Sequence, residues 1–151
     1  MKKSYFVLSF SLSILLSLFI LINSGCATPY KPHGFMGGYR DTQIQPNIFQ
    51  VYVRGNGYTS PDRVFKIALV RSAELALQNN CDYFYILDIS ESEKTYYNGS
   101  INPSSYLTSV MIVPITKPRI TMLIKTVKEP EEEQEEPFDA QFILNNVLTE
   151  L

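Results

Sequence analysis

Tryptophan is absent from this 151-residue chain, and histidine occurs once, as His33. A single imidazole excludes a multi-His metal site, and its place in a Pro/Gly-rich tether argues against a His-based catalytic triad. Cysteine is nearly as scarce, with Cys26 and Cys81 alone. Neither has a second cysteine close by, so a dithiol redox role is not expected. Dense Lys/Arg runs are missing too, and nucleic-acid binding is not read from the composition. The glycine-rich stretch Gly55-Asn56-Gly57 lacks the Lys-Ser/Thr of a phosphate loop and the third glycine of a dinucleotide fingerprint, and it reads as a strand-to-helix turn.

The chain has one long hydrophobic run. Lys2 and Lys3 precede an apolar stretch from Tyr5 to Ile22, and Asn23-Ser24-Gly25 leads into Cys26. A basic start, an apolar middle and a small-residue end are the parts of a secretory signal, here residues 1–25. Where that pattern meets a cysteine it resembles the lipobox of bacterial lipoproteins, although Asn23 stands where the pattern usually carries Leu, Ile or Val. The resemblance implies that Cys26 becomes the acylated first residue of the mature chain. The residues also admit an uncleaved membrane helix, or a cleaved signal that leaves a plain thiol. By similarity to enterobacterial sorting, Ala27 in place of Asp implies the outer membrane, with the protein facing the periplasm.

Removal of 25 residues leaves 126, enough for one small domain and its tails. Charge divides that remainder. Cys26 to Lys128 holds eleven basic and seven acidic side chains, net +4, whereas Glu129 to Leu151 has eight acids and no base. Residues 26–46 carry three prolines and three glycines and read as a lipidated tether with turns, its aromatics Tyr30, Phe35 and Tyr39 packing on the domain or meeting a partner. The domain itself is expected over 47–128. Phe49, Val51 and Val53 alternate with polar residues, which predicts a strand over Asn47–Arg54. Ser60-Pro61-Asp62 is a helix start, and Phe65, Ala68, Leu69, Ser72, Ala73, Ala76 and Leu77 fall at helical spacing up to about Asn79. Asn79-Asn80 ends the helix, because Asn tolerates the left-handed conformation.

Asp82–Ser90 is apolar on both faces until Asp88, as a central or doubly covered strand is. Residues 91–118 read as a long polar loop bearing Tyr96, Tyr97 and Tyr106, with a short strand over Leu107–Ile115. Arg119–Lys128 is the last strand. Residues 129–137 form an acidic disordered linker, and 138–151 a short amphipathic helix or a disordered tail. The order β-α-β-β(-β) gives an α+β fold, one sheet with a helix packed across it. A parallel crossover is expected between the strands flanking the helix. Cys81, ahead of an apolar strand, reads as a buried thiol.

One resemblance covers most of this body. The run Cys26-Ala27-Thr28-Pro29-Tyr30, then Gly34, Gly37-Gly38-Tyr39, Asp41, Arg54-Gly55-Asn56-Gly57-Tyr58 and Arg71-Ser72-Ala73-Glu74-Leu75, is similar to a family of small uncharacterised proteobacterial lipoproteins. It implies a lipoprotein and offers no catalytic residue.

Three functions follow as expectations. The first is a non-enzymatic envelope lipoprotein, held in the lipid membrane by acyl chains on Cys26, that works through an envelope protein partner and needs no cofactor or metal. The second is a small-ligand or peptidoglycan binder using Tyr96, Tyr97 and Tyr106, with Asp88 beside them, since aromatic faces stack on sugar rings. The third is a hydrolase with Asp88 and Glu74 as paired carboxylates.

Overall fold

The computed structural model describes residues 26–101, 110–130 and 136–151, with the side chains of 98–101 and 110–113 excepted. The signal segment 1–25, the tip of the expected loop with Tyr106, and the acidic run 131–135 lie outside the described residues. The fold is α+β. Among the described residues, five antiparallel strands stand in the order β1-β2-β4-β3-β5, and one long helix crosses a single face. The strands are β1 (Gly38–Gln45), β2 (Ile48–Arg54), β3 (Tyr83–Ile101), β4 (Val110–Val127) and β5 (Phe138–Asp139). Helix α1 is Pro61–Gln78, and a short α2 (Ala140–Asn146) runs into a 3-10 turn at Leu148–Glu150.

Helix α1 forms for the local reasons its sequence offers. The Ser60 hydroxyl accepts from the Arg63 amide at 3.2 Å, Pro61 fills the first turn, and Asp62 sits at the positive end of the helix dipole. Asn80 closes the helix at φ +57. The apolar stripe is wider than the spacing predicts, because Val64, Ile67, Val70 and Leu75 are buried as well. The helix is covered twice, by the sheet and by α2. The core under it joins Phe49, Val51 and Val53 of β2 to Phe84 of β3 and to Ile120, Met122 and Ile124 of β4.

Three parts of the chain depart from the sequence reading. Residues 38–45, expected within a tether, are the first strand and form a hairpin with β2 (Gly38 opposite Arg54, Gln43 opposite Phe49). The remaining residues 26–37 fold back against the domain. Strand β1 escapes notice because it is an edge strand of mostly polar residues, without the alternation that marks a half-buried one. The flanking strands β2 and β3 do run parallel, but they are not paired, since β4 lies between them and is antiparallel to both. Residues 91–101 and 116–118 are not a loop, and the short strand expected over Leu107–Ile115 is strand from residue 110 on, 107–109 lying outside the described residues. Residues 91–101 and 110–118 continue β3 and β4 in register, from Tyr83 opposite Val127 to Ile101 opposite Val110.

Pairing with β2 stops at Arg119, so nine residues of each strand (93–101 and 110–118) form a two-stranded ribbon beyond the sheet, about 30 Å long at the usual strand rise. Pro114 and Pro118 fit there. The Gly55 amide reaches the Pro118 carbonyl at 2.8 Å, so even-numbered residues of β4 turn their backbone polar groups toward the β2 side. Past Arg119 that side has no strand to receive a donor, and proline loses nothing.

The tail takes the first of its two expected forms, a short helix, and docks on the domain. Phe138 stacks on Phe84 at a 5.3 Å centroid distance, the Asp139 carboxylate caps α2 through the Phe142 amide at 2.7 Å, and Ala140 and Ile143 are buried against α1. Of the outcomes open to 138–151, docking on its own domain is the one adopted. Lys66 bridges Asp62 and Glu150 at 3.0 and 2.8 Å, and Arg63 donates to the Leu151 carbonyl.

Candidate functional site

The short stretch after Cys26 is strapped to the domain by a knot of small polar side chains. Thr28 is fully buried. Its amide donates to the Thr59 hydroxyl at 2.8 Å, and the two hydroxyls lie 2.7 Å apart. The Thr28 hydroxyl donates to the Met36 carbonyl at 3.0 Å and accepts from the Asn56 amide at 2.9 Å. The Asn56 side-chain amide donates to the Cys26 carbonyl at 2.8 Å, while its oxygen accepts from the Tyr58 amide and the Thr59 hydroxyl, both at 2.9 Å. The Arg63 Nε adds a bond to the Thr28 carbonyl at 3.0 Å. Buried polar groups hold a fold only when each has its partner, and here the partners tie residues 26–28 to Met36, to the 56–59 loop and to Arg63. Cys26 itself is exposed.

Thr28→Val tests the knot. The swap keeps the volume, orphans the Met36 carbonyl and leaves the Asn56 amide only its longer bond to the Thr59 hydroxyl, at 3.3 Å. We expect a loss of about 2–3 kcal/mol in a denaturant titration; a change under about 0.5 kcal/mol would show that water replaces the hydroxyl without cost.

A second cluster lies under β1. Arg71 of α1 reaches Asp41 of β1 at 2.8 Å and Glu74 at 2.6 Å, and its guanidinium sits 4.9 Å from the centre of the Tyr39 ring. Burial alone would lower the Arg71 pKa, but the hydrogen bonds it donates to the Asp41 and Glu74 carboxylates outweigh it and raise it. Tyr30 packs on Tyr39 with centroids 4.9 Å apart. Burial first, and the nearby Glu74 carboxylate second, push the Tyr30 phenol well above its ordinary range. Its buried hydroxyl nevertheless has no hydrogen bond of acceptable geometry. Tyr30→Phe should therefore leave the melting temperature unchanged or raise it, because an unpaired buried hydroxyl costs about 1–3 kcal/mol. A clear drop in melting temperature would mean that the hydroxyl is partnered in solution.

No known protein family, curated protein or solved structure matches this chain. The function has to be read from the geometry alone. The motifs quoted above come together in it: Thr28, Asn56 and Gly37 meet in the polar knot, and Tyr30, Tyr39, Asp41, Arg71 and Glu74 meet around the guanidinium. Both groupings are architectural. They fix the first residues and β1 to the sheet.

Of the residues expected to bind, the described ones, Tyr96, Tyr97 and Asp88, are not brought together. Tyr96 and Tyr97 are neighbours on the ribbon, so they point to opposite faces. The Tyr96 ring already has cations against it, Lys94 and Lys117 at 5.5 and 4.7 Å from its centre, and Arg119 donates to its hydroxyl at 3.4 Å. Tyr97 is 72 % exposed. Asp88 is exposed, eight residues back along β3 from Tyr96, just after a bulge that falls between Ile86 and Asp88. Glu74 is committed to Arg71 on the β1 side of the helix, so the carboxylate pair is not assembled. Tyr106 lies outside the described residues, and Cys81 is half-buried at the edge of the core.

At the Cys26 end, sequence reasoning offers Phe35 as packing on the domain or meeting a partner but singles out neither Tyr58 nor the groove beside it. Phe35 is 98 % exposed at the apex of a tight turn in which Gly34 and Gly37 exchange backbone hydrogen bonds of 2.9 and 3.1 Å. Tyr58, beside Asn56, is 78 % exposed. Together with Met36 they border a groove of about 670 Å3, whose far wall is Pro114–Lys117 at the base of the ribbon. Cys26, the groove and the ribbon thus share one end of the domain. Among the described residues no helix is long and apolar enough to cross a membrane, and no cluster of three His, Cys, Asp or Glu side chains is placed to hold a metal.

Proposed function

We propose that this chain is a lipid-anchored protein of the bacterial envelope, acylated at Cys26 and facing the periplasm from the outer membrane, which acts without catalysis by offering the β3–β4 ribbon to a protein partner. The observation that supports this reading is the placement of Cys26. It is exposed, yet two residues later the chain is buried in the polar knot, and the ribbon springs from the same end. An anchor there keeps a two-stranded arm within about 30 Å of the lipid surface. The arm has what a contact surface needs: Tyr97 exposed on one face, and the cations Lys94, Lys117 and Arg119 around Tyr96 on the other.

Two measurements test the proposal. Mass spectrometry of the mature N-terminus should find fatty acyl groups on Cys26, and an unmodified thiol in a water-soluble protein would end the anchor reading. A photo-crosslinking residue in place of Tyr97, in membranes, should capture a discrete protein that is lost when Lys94 and Lys117 are changed to Glu. Absence of any discrete adduct from either face of the ribbon would remove the partner.

A further inference from the structure

We propose that the Phe35 and Tyr58 side chains seat in the interfacial layer of the phospholipid bilayer, so that the domain rests on the lipid surface in one fixed orientation. The inference rests on acylation of Cys26.

Its basis is the lack of slack between anchor and domain. An acylated cysteine on a flexible spacer lets a domain tumble above the membrane. Here the Cys26 carbonyl is itself bonded to Asn56, and Thr28 is already in the interior. Acyl chains leaving Cys26 therefore emerge from the protein surface beside Asn56, and whatever surrounds that point is pressed toward the headgroups.

The surroundings suit that position. Phe35 and Tyr58 are the two most exposed large apolar side chains among the described residues, and both flank the groove next to Asn56. Aromatic rings with one apolar body and, in tyrosine, one polar tip favour the membrane–water boundary. Phe35 stands at the apex of a turn closed by two backbone hydrogen bonds, so it meets the lipid as a preformed wedge with little order to lose. Met36, Pro114 and Ile115 extend the apolar rim, and Lys117, the one charged residue of the groove, is a cation that suits phosphate headgroups. A groove with this lining, contiguous with the anchor, takes a lipid surface more readily than a soluble partner.

The absence of native tryptophan makes the test direct. Phe35→Trp, Tyr58→Trp and Ile44→Trp each give the mature, acylated chain one reporter. Ile44 is exposed near the end of β1 that joins β2, away from the Gly38–Arg54 end where Cys26 lies. The three proteins are placed in phosphatidylethanolamine–phosphatidylglycerol vesicles with and without brominated phospholipid. We expect blue-shifted emission and at least a twofold loss of intensity with the brominated lipid at positions 35 and 58, and neither change at 44. Acylated, vesicle-bound protein with no quenching at 35 and 58 would overturn this inference alone and leave the anchor standing. A blue shift that depends on protein concentration but not on bromine would overturn it in favour of a second copy of the chain on the groove. An unacylated Cys26 would take down both readings together.

Discussion

Deleting residues 138–151 is expected to abolish cooperative unfolding of the domain. The segment looks dispensable, a short amphipathic stretch behind an acidic run, but it closes the core. Ile143 and Ala140 are buried against α1, Leu144, Val147 and Leu151 are packed partly against the same surface, and Phe138 covers Phe84. Each large apolar side chain taken from water contributes about 1.5–3 kcal/mol, so removal of the set costs on the order of 5 kcal/mol or more. A domain of this size has a net stability of only about 5–15 kcal/mol. Two point variants grade the effect. Ile143→Ala should cost about 2–4 kcal/mol through the cavity it leaves, and Asp139→Ala about 1 kcal/mol through the lost cap of α2. Chemical denaturation followed by circular dichroism reads all three. A truncated chain with an unchanged midpoint would mean that the tail lies on the domain without stabilising it.

The helix and strand β2 are legible in the sequence because each carries its own signal. Ser60-Pro61-Asp62 caps, Asn79-Asn80 stops, and Phe49, Val51 and Val53 alternate. Strand β1 is hidden because its inward residues are Tyr39 and Asp41, which satisfy themselves on Arg71 rather than on an apolar core. Its inward face is therefore written in a pairing thirty residues away, which periodicity does not report. The ribbon is hidden for a related reason. A two-stranded arm has no single buried face, so Glu93, Lys94, Thr95 and Tyr96 show no alternation and read as loop. The same geometry parts Tyr96 from Tyr97, since consecutive strand residues point to opposite faces. The Cys26 end is half legible. A signal-like segment ending at a cysteine marks it, whereas the exposure of Phe35 and Tyr58 depends on a turn and a groove that exist only after folding.

The tightest point of that end is Gly37, and Gly37→Ala is expected to dislodge β1. A methyl group there would lie 2.3 Å from the Arg54 carbonyl oxygen and 3.0 Å from the Thr28 side chain. Neither neighbour is free to retreat. Arg54 closes the pairing of β1 with β2 and of β2 with β4, and Thr28 is held by Thr59, Asn56 and Met36. The residue also stands at φ +95, a conformation that any side chain strains. Backbone strain of about 1–3 kcal/mol and overpacking of a similar size together cost about 3 kcal/mol or more. Gly34→Ala is the control in the same turn, because an added methyl there meets nothing within 4 Å and φ is not positive. It should stay within about 0.5 kcal/mol of the parent. The contrast also separates stability from placement. In Gly37→Ala protein the turn that carries Phe35 loses its footing on β1. Protease nicking between residues 28 and 38 should therefore rise relative to the parent, while the Gly34→Ala protein is cut no faster. Equal midpoints for the two glycine variants would show that β1 yields at Arg54 without loss, and that the Cys26 end is looser than its hydrogen bonds imply.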